Sequence, residues 1–237
     1  MLLPDDSALP KRANPWRPLW GDRGFASFKA PVGTWRHATS VRLAAASPRL
    51  LEAPAADGGM IVNGDGKTSD LVTAENFGDL EVEMEFLLAK GSNSGVKLHG
   101  HYEVQLFDSF GKTKLDGTDC GGIYPRAELL PRYRHLDRGT APRVNACKAP
   151  GEWQTLRIVF RAPRFDAGGK RTATARIERV ELNGQTVQQD VELTSPTGHA
   201  WRQREVPAGP LLLQGDHGPV AFRNGRVRAP EPPPRGL

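Results

Sequence analysis

The sequence predicts an antiparallel all-β protein built as a two-sheet sandwich. Runs of four to nine residues alternate apolar and polar side chains at period two, the pattern of strands buried on one face. No stretch sustains a capped helical period for more than about two turns. The 26 glycines and 20 prolines among 237 residues exceed the usual share and punctuate the chain with turns. A chain of this length with 38 % hydrophobic residues can bury a sizeable core.

The elements follow in order. Residues 1–15 are polar and broken by proline, and read as a tail. One domain is expected over 16–229, and the Pro-rich segment 230–237 reads as a second tail. In Leu80-Glu81-Val82-Glu83-Met84-Glu85-Phe86 the apolar members share one face of a strand and three glutamates share the other. Residues 93–108 continue the alternation and read as one long strand with a bend or bulge at Gly100. From Gly111 to Pro150 the alternation lapses and Pro125, Pro131, Pro142 and Pro150 interrupt the chain. Irregular segments of that length are usually functional or disordered. Thr174–Leu182 and Gln185–Leu193 flank Asn183-Gly184, which takes the positive φ angles of a type I′ hairpin turn. Leu211–Leu213 ends on Gln214, and the last strand turns Val220 and Phe222 inward and Arg223 outward.

Several classes are excluded. The net charge of +5 is scattered, with Arg132, Arg134 and Arg138 in one loop and Arg223, Arg226 and Arg228 near the end. There is no recognition helix, finger spacing or basic run, so no nucleic-acid partner is expected. No apolar run approaches the roughly 20 residues of a membrane span. Cys120 and Cys147 form no C-x-x-C pair and cannot alone build a structural zinc site. They form either a disulfide across a long loop, suited to an oxidising compartment, or two buried thiols. The start Met1–Asp6 has no charged n-region and no apolar h-region, so the protein is either cytoplasmic or exported with its signal removed. Oligomeric state leaves no trace in the sequence.

The segment 93–108 carries the chemistry. Val96, Leu98, Gly100, Tyr102, Val104 and Leu106 share the core side, which leaves Lys97, His99, His101, Glu103, Gln105 and Phe107 on the other. Same-face neighbours on a strand lie about 6.8 Å apart, so a cation, two imidazoles, a carboxylate and an amide fall within reach of one sugar-sized ligand. A merely solvated face ordinarily reads as Lys, Glu and Thr. Gln214, His217 and Arg223 add weaker signals. In the long loop, Tyr124, Arg126, Tyr133, His135 and Lys148 are suited to closing over a ligand, the plain alternative being a surface insertion.

The same residues carry a resemblance. Asn93-Ser94-Gly95-Val96, Tyr102-Glu103-Val104-Gln105 with Asp108, Gly122-Ile123-Tyr124, Asn145 with Lys148, and Gly151-Glu152-Trp153 come in sequence. Leu182-Asn183-Gly184, Gly209–Gln214, His217-Gly218 and Phe222-Arg223-Asn224 follow. The series resembles the 3-keto-disaccharide hydrolase domain family over about residues 16–229. The resemblance implies a concanavalin A-like jelly roll, mostly periplasmic or secreted, in bacteria that oxidise sugars at C3 before cleaving them. His99 and His101 flank a glycine where the family varies, the loop 126–143 is longer than usual, and Gly225 stands where an aliphatic residue is usual.

Ordinary glycosidases place two carboxylates about the scissile bond. Glu103 and Asp108 are an odd offset apart, on opposite faces of a strand, and no Glu-x-Asp-x-x-Glu signature is present. A 3-keto sugar needs only one base, because the ketone acidifies the C2 proton and its removal expels the C1 substituent. The expected base is Glu103, with His101 the alternative, and Lys97 or Arg223 steadies the enolate. His217 or Tyr124 serves the leaving group, while His99, Gln105, Lys148 and Gln214 bind substrate. Trp153 either stacks on a ring or fills the core. No cofactor is required and no ligand spacing calls for a metal, although the polar face is compatible with a divalent ion. The competing reading is a non-catalytic carbohydrate-binding module, since jelly rolls serve both purposes. A 7 % aromatic content favours the enzyme.

Overall fold

The computed structural model describes residues 14–21 and 25–232. Among these, twelve strands make two antiparallel sheets. They begin with β1 (Arg17–Pro18), β2 (Arg36–Ala38), β3 (Met60–Val62), β4 (Leu71–Phe77), β5 (Leu80–Leu88) and β6 (Asn93–Leu98). There follow β7 (Tyr102–Phe107), β8 (Gln154–Arg161), β9 (Ala175–Leu182), β10 (Gln185–Leu193), β11 (Gly209–Leu213) and β12 (Val220–Arg228). The larger sheet runs β10-β9-β8-β5-β12-β3-β2, with β1 added along β12, and the smaller runs β4-β11-β6-β7. This is the jelly-roll sandwich expected. No helix among the described residues is long and apolar enough to cross a membrane.

One continuous core lies between the sheets. Val82, Met84 and Phe86 on β5, Phe160 on β8 and Phe222 on β12 meet Val96, Leu98, Tyr102, Val104 and Leu106 from β6 and β7. Each such side chain taken from water stabilises the fold by roughly 1.5–3 kcal/mol, which is why the period-two pattern decides the layer order. The glutamate face of β5 is not bare. Its register on β12 sets Arg223 beside Glu85, Arg226 beside Glu83 and Arg228 beside Glu81. Glu81, only 2 % exposed, also receives Arg157 from β8. The hairpin β9–β10 turns at Asn183 and Gly184, with φ of 52° and 78°.

The expected single strand over 93–108 is instead two. The chain reverses at His99 and Gly100, whose φ angles of 54° and 71° form a tight turn, and β6 pairs back on β7. The two arms keep their expected sides because Leu98 pairs with Tyr102 and Lys97 with Glu103, an in-step register. The turn residue His99 follows neither arm. Within the long loop, Ile123 bridges Val104, and 127–128 pair with 134–135 in a short ribbon. Cys120 and Cys147 are free thiols buried against each other.

Candidate active site

A cleft of about 430 Å³ opens on the outer face of the smaller sheet, a volume suited to a small organic ligand. Cross-strand register builds its floor. Leu212, Lys97 and Glu103 form one row across β11, β6 and β7. Gln214, Gly95 and Gln105 form the next, tied by the Gln214 backbone N–H donating to Gly95 O at 2.9 Å. Asn93, Asp70, Asp216 and His217 extend the floor, and Tyr124, Tyr133, His101, Thr197, His199 and Gln203 form walls.

Glu103 sits at the centre and is 5 % exposed. Its carboxylate leans over Gly95, where a Cβ would stand 2.4 Å from Oε1 and 3.0 Å from Cδ, so the Asn93-Ser94-Gly95 sequence leaves the space it needs. Burial pushes the Glu103 carboxyl above the usual carboxylate range, and the nearby Asp70 adds to the rise. Lys97 Nζ, 3.7 Å from Oε2, opposes it, as does His217. A carboxyl held so is an ionisable base with a raised proton affinity.

Backbone contacts fix the walls. Residues 121–124 run along β7, with Gln105 N–H donating to Gly122 O and Tyr124 N–H to Glu103 O. Tyr124 OH meets Tyr133 OH at 2.8 Å and His135 Nε2 at 3.1 Å. Burial and the Tyr133 contact raise the Tyr124 phenol well above its ordinary value. On the other side, Thr197 Oγ1 accepts from Glu103 N–H at 3.0 Å and its own N–H donates to His101 O. Burial lowers the His101 imidazole, keeping it neutral over a wider pH range. The turn bearing His217 hangs on buried Asn63, which donates to Gly215 O and Gly218 O and accepts from Val220 N–H. His217 contacts the Asp216 carboxylate and lies 3.2 Å from the Gln214 amide. Gln214 and His101 both line the cleft, and among the described residues Gln214 Oε1 and His101 Nδ1 have no hydrogen-bond partner.

The structure therefore brings together Glu103, Lys97, His101, Tyr124, Tyr133, Gln214 and His217 of the residues singled out from sequence. Gln105 lies just behind the floor and donates to Asn93 at 3.2 Å. Four others, His99, Arg223, Lys148 and Trp153, lie elsewhere. His99 turns into the core, edge-on to Phe160 with its Nε2 3.1 Å from Gly78 O, because the turn backbone takes it out of strand alternation. Arg223 points outward from the opposite sheet, paired to Glu85 at 2.6 Å and stacked on Trp153 at 4.1 Å. Lys148 donates to Trp153 O on that side. Arg126 pairs with Asp137 and His135 backs Tyr124, so both support the wall. Sequence reasoning passed over Asp70, His199, Thr197 and Gln203. Asp70 precedes a strand with no motif about it, and the other three lie in an aperiodic connection. Among the described residues no group of three or more His, Cys, Asp or Glu is arranged to hold a metal ion.

A family model described as a 3-keto-alpha-glucoside-1,2-lyase-like domain matches residues 15–228. A proposed glycosyl hydrolase from Parabacteroides distasonis ATCC 8503 is 27 % identical at a TM-score of 0.58, over 74 % of this chain and 73 % of the other. A second from that organism, 20 % identical at a TM-score of 0.54, covers 92 % of this chain and 100 % of its own. The latter likeness is one of fold. No curated protein matches the sequence.

Proposed function

The chain belongs to the 3-keto-alpha-glucoside-1,2-lyase-like domain family, and we propose that it cleaves glycosides whose sugar carries a ketone at C3. The observation that carries this reading is Glu103: one buried carboxyl of raised proton affinity, on the floor of a polar cleft, with a lysine 3.7 Å away. In the reaction, a Glu103 oxygen takes the proton from C2, and the C2–H electrons form an enolate across C2 and C3. Lys97 steadies the charge gathering on the C3 oxygen. The enolate reforms the ketone, the C1–O bond breaks with its electron pair, and the departing oxygen takes a proton from His217 or Tyr124. Water then adds to the enone left between C1 and C2: its hydroxyl bonds to C1, its proton restores His217 or Tyr124, and Glu103 returns a proton to C2, for net hydrolysis. Gln214 and His101, which line the cleft, meet sugar hydroxyls.

Asp70 favours a second reading. It lines the same cleft and raises the Glu103 carboxyl, so the alternative to test is a conventional pair with Glu103 as acid and Asp70 as base or nucleophile. One paired assay separates them: an aryl glucoside and its 3-keto counterpart, each in α and β form. Release from the keto compound alone is expected. Release from the unoxidised glucoside would favour the two-carboxylate route, and sugar binding without release from either would favour a binding module.

A further inference from the structure

A groove beside the cleft is assigned no role by the reaction above. It is lined by Leu129, Leu130, Trp201, His199, Glu128 and Arg202 and has a volume of about 340 Å³. His199 lines both the groove and the cleft, so the two are neighbours. Backbone bonds lock the junction: Ala127 N–H donates to Gly198 O at 3.0 Å, and Gly198 N–H to Pro125 O at 2.9 Å.

The groove has an apolar character that its surroundings do not explain. Leu129 and Leu130 are 54 % and 81 % exposed, side by side next to the cleft mouth. Scattered exposed leucines are ordinary, but two adjoining an aromatic ring make a contiguous patch. The nearby charges are spent on one another. Glu128 pairs with Arg134 and Arg202, Arg126 pairs with Asp137, and both Arg126 and Arg202 lie over the Trp201 ring. Leu129 and Leu130 are therefore the apolar part of a lining whose charged members are paired with one another.

We propose that this groove is the subsite for the leaving group, and that the enzyme selects glycosides with a bulky apolar or aromatic aglycone. The inference rests on the reading of the cleft as a 3-keto-glycoside site. A sugar held over Gly95 leaves its C1 substituent to extend past His199 along Leu129, Leu130 and Trp201.

The test compares 2-phenylethyl and ethyl 3-keto-glucosides, which share an alkanol leaving group, in the wild type and in Leu129→Ser/Leu130→Ser. The wild type is expected to favour the phenylethyl substrate about tenfold in kcat/KM. The double variant should lose that preference while cleaving the ethyl substrate as before. Equal cleavage of both substrates by the wild type, or a preference the variant retains, would overturn the subsite and leave the cleft reading intact. Failure to cleave the ethyl substrate would instead count against the cleft reading. Calorimetry with the unoxidised phenylethyl and ethyl glucosides then decides the groove on its own: a variant-sensitive preference supports it and equal affinity overturns it. Sedimentation of both proteins accompanies the assay. Self-association of the wild type abolished in the variant, with unchanged selectivity, would make the patch a contact between copies and overturn the proposal.

Discussion

At the scale of single residues, the site is a problem of keeping a buried carboxyl reactive. Gly95 gives Glu103 room to lie flat, burial raises its proton affinity, and Lys97 limits the rise. Glu103→Gln is expected to lower kcat on a 3-keto-glucoside by about 10²-fold or more. The same change should not lower Tm at neutral pH. A carboxyl whose folded pKa stands above its unfolded value contributes its stability below the unfolded pKa, and loses it as pH rises through the folded one. At neutral pH the raised proton affinity is thus a cost that glutamine lacks, and any Tm advantage of the variant should shrink on acidification. The acid limb of kcat/KM should fall above the ordinary carboxylate range. Lys97→Met should move that limb to still higher pH, since the ammonium is what holds it down. A pH–rate profile of both proteins checks this, and an unmoved limb would remove Glu103 as the titrating base.

At the scale of elements, period two told which side of a strand each residue takes for β5, β6 and β7, and the Asn-Gly pair marked the turn of the β9–β10 hairpin. It did not tell which outer surface a polar side belongs to. A sandwich has two, and an outward Arg223 on β12 reads identically to an outward Lys97 on β6. Only the register against Glu85 assigns Arg223 to the face away from the cleft. His99 was misread for a different reason, a reversal of chain direction that preserves the alternation on both arms. Gly225 shows a departure with a local cause. A Cβ there would stand 2.1 Å from the Trp20 ring, which packs over β12 and donates to Gly59 O. The Asn224-Gly225 irregularity also brings Arg223 and Arg226 to the same face despite their odd separation. Gly225→Val is expected to cost about 1–3 kcal/mol by overpacking. Thermal unfolding should show the loss and kcat should hold, because this side of the sandwich does not touch the cleft.

At the scale of the whole molecule, the two sheets divide the labour. The larger sheet carries an arginine–glutamate lattice on its outer face, and the smaller presents its outer face as the floor of the cleft. The core between them couples the two, so Phe160→Ala should cost about 3–5 kcal/mol and lower Tm. The fold was legible because the core imposes alternation on every long strand. The cleft was legible only where it borrows those strands. Its walls come from aperiodic connections, 121–135 and 197–203, which are placed by hydrogen bonds to strand edges and leave no period to read. The central claim is that Glu103 removes the C2 proton. Its most direct measurement is aglycone release from a 3-keto-glucoside beside its C2-methyl analogue, which carries no C2 hydrogen, with the wild type and with Glu103→Gln. The account predicts release from the parent compound by the wild type alone, and none from the C2-methyl analogue with either protein. Release from the C2-methyl analogue by the wild type would contradict it.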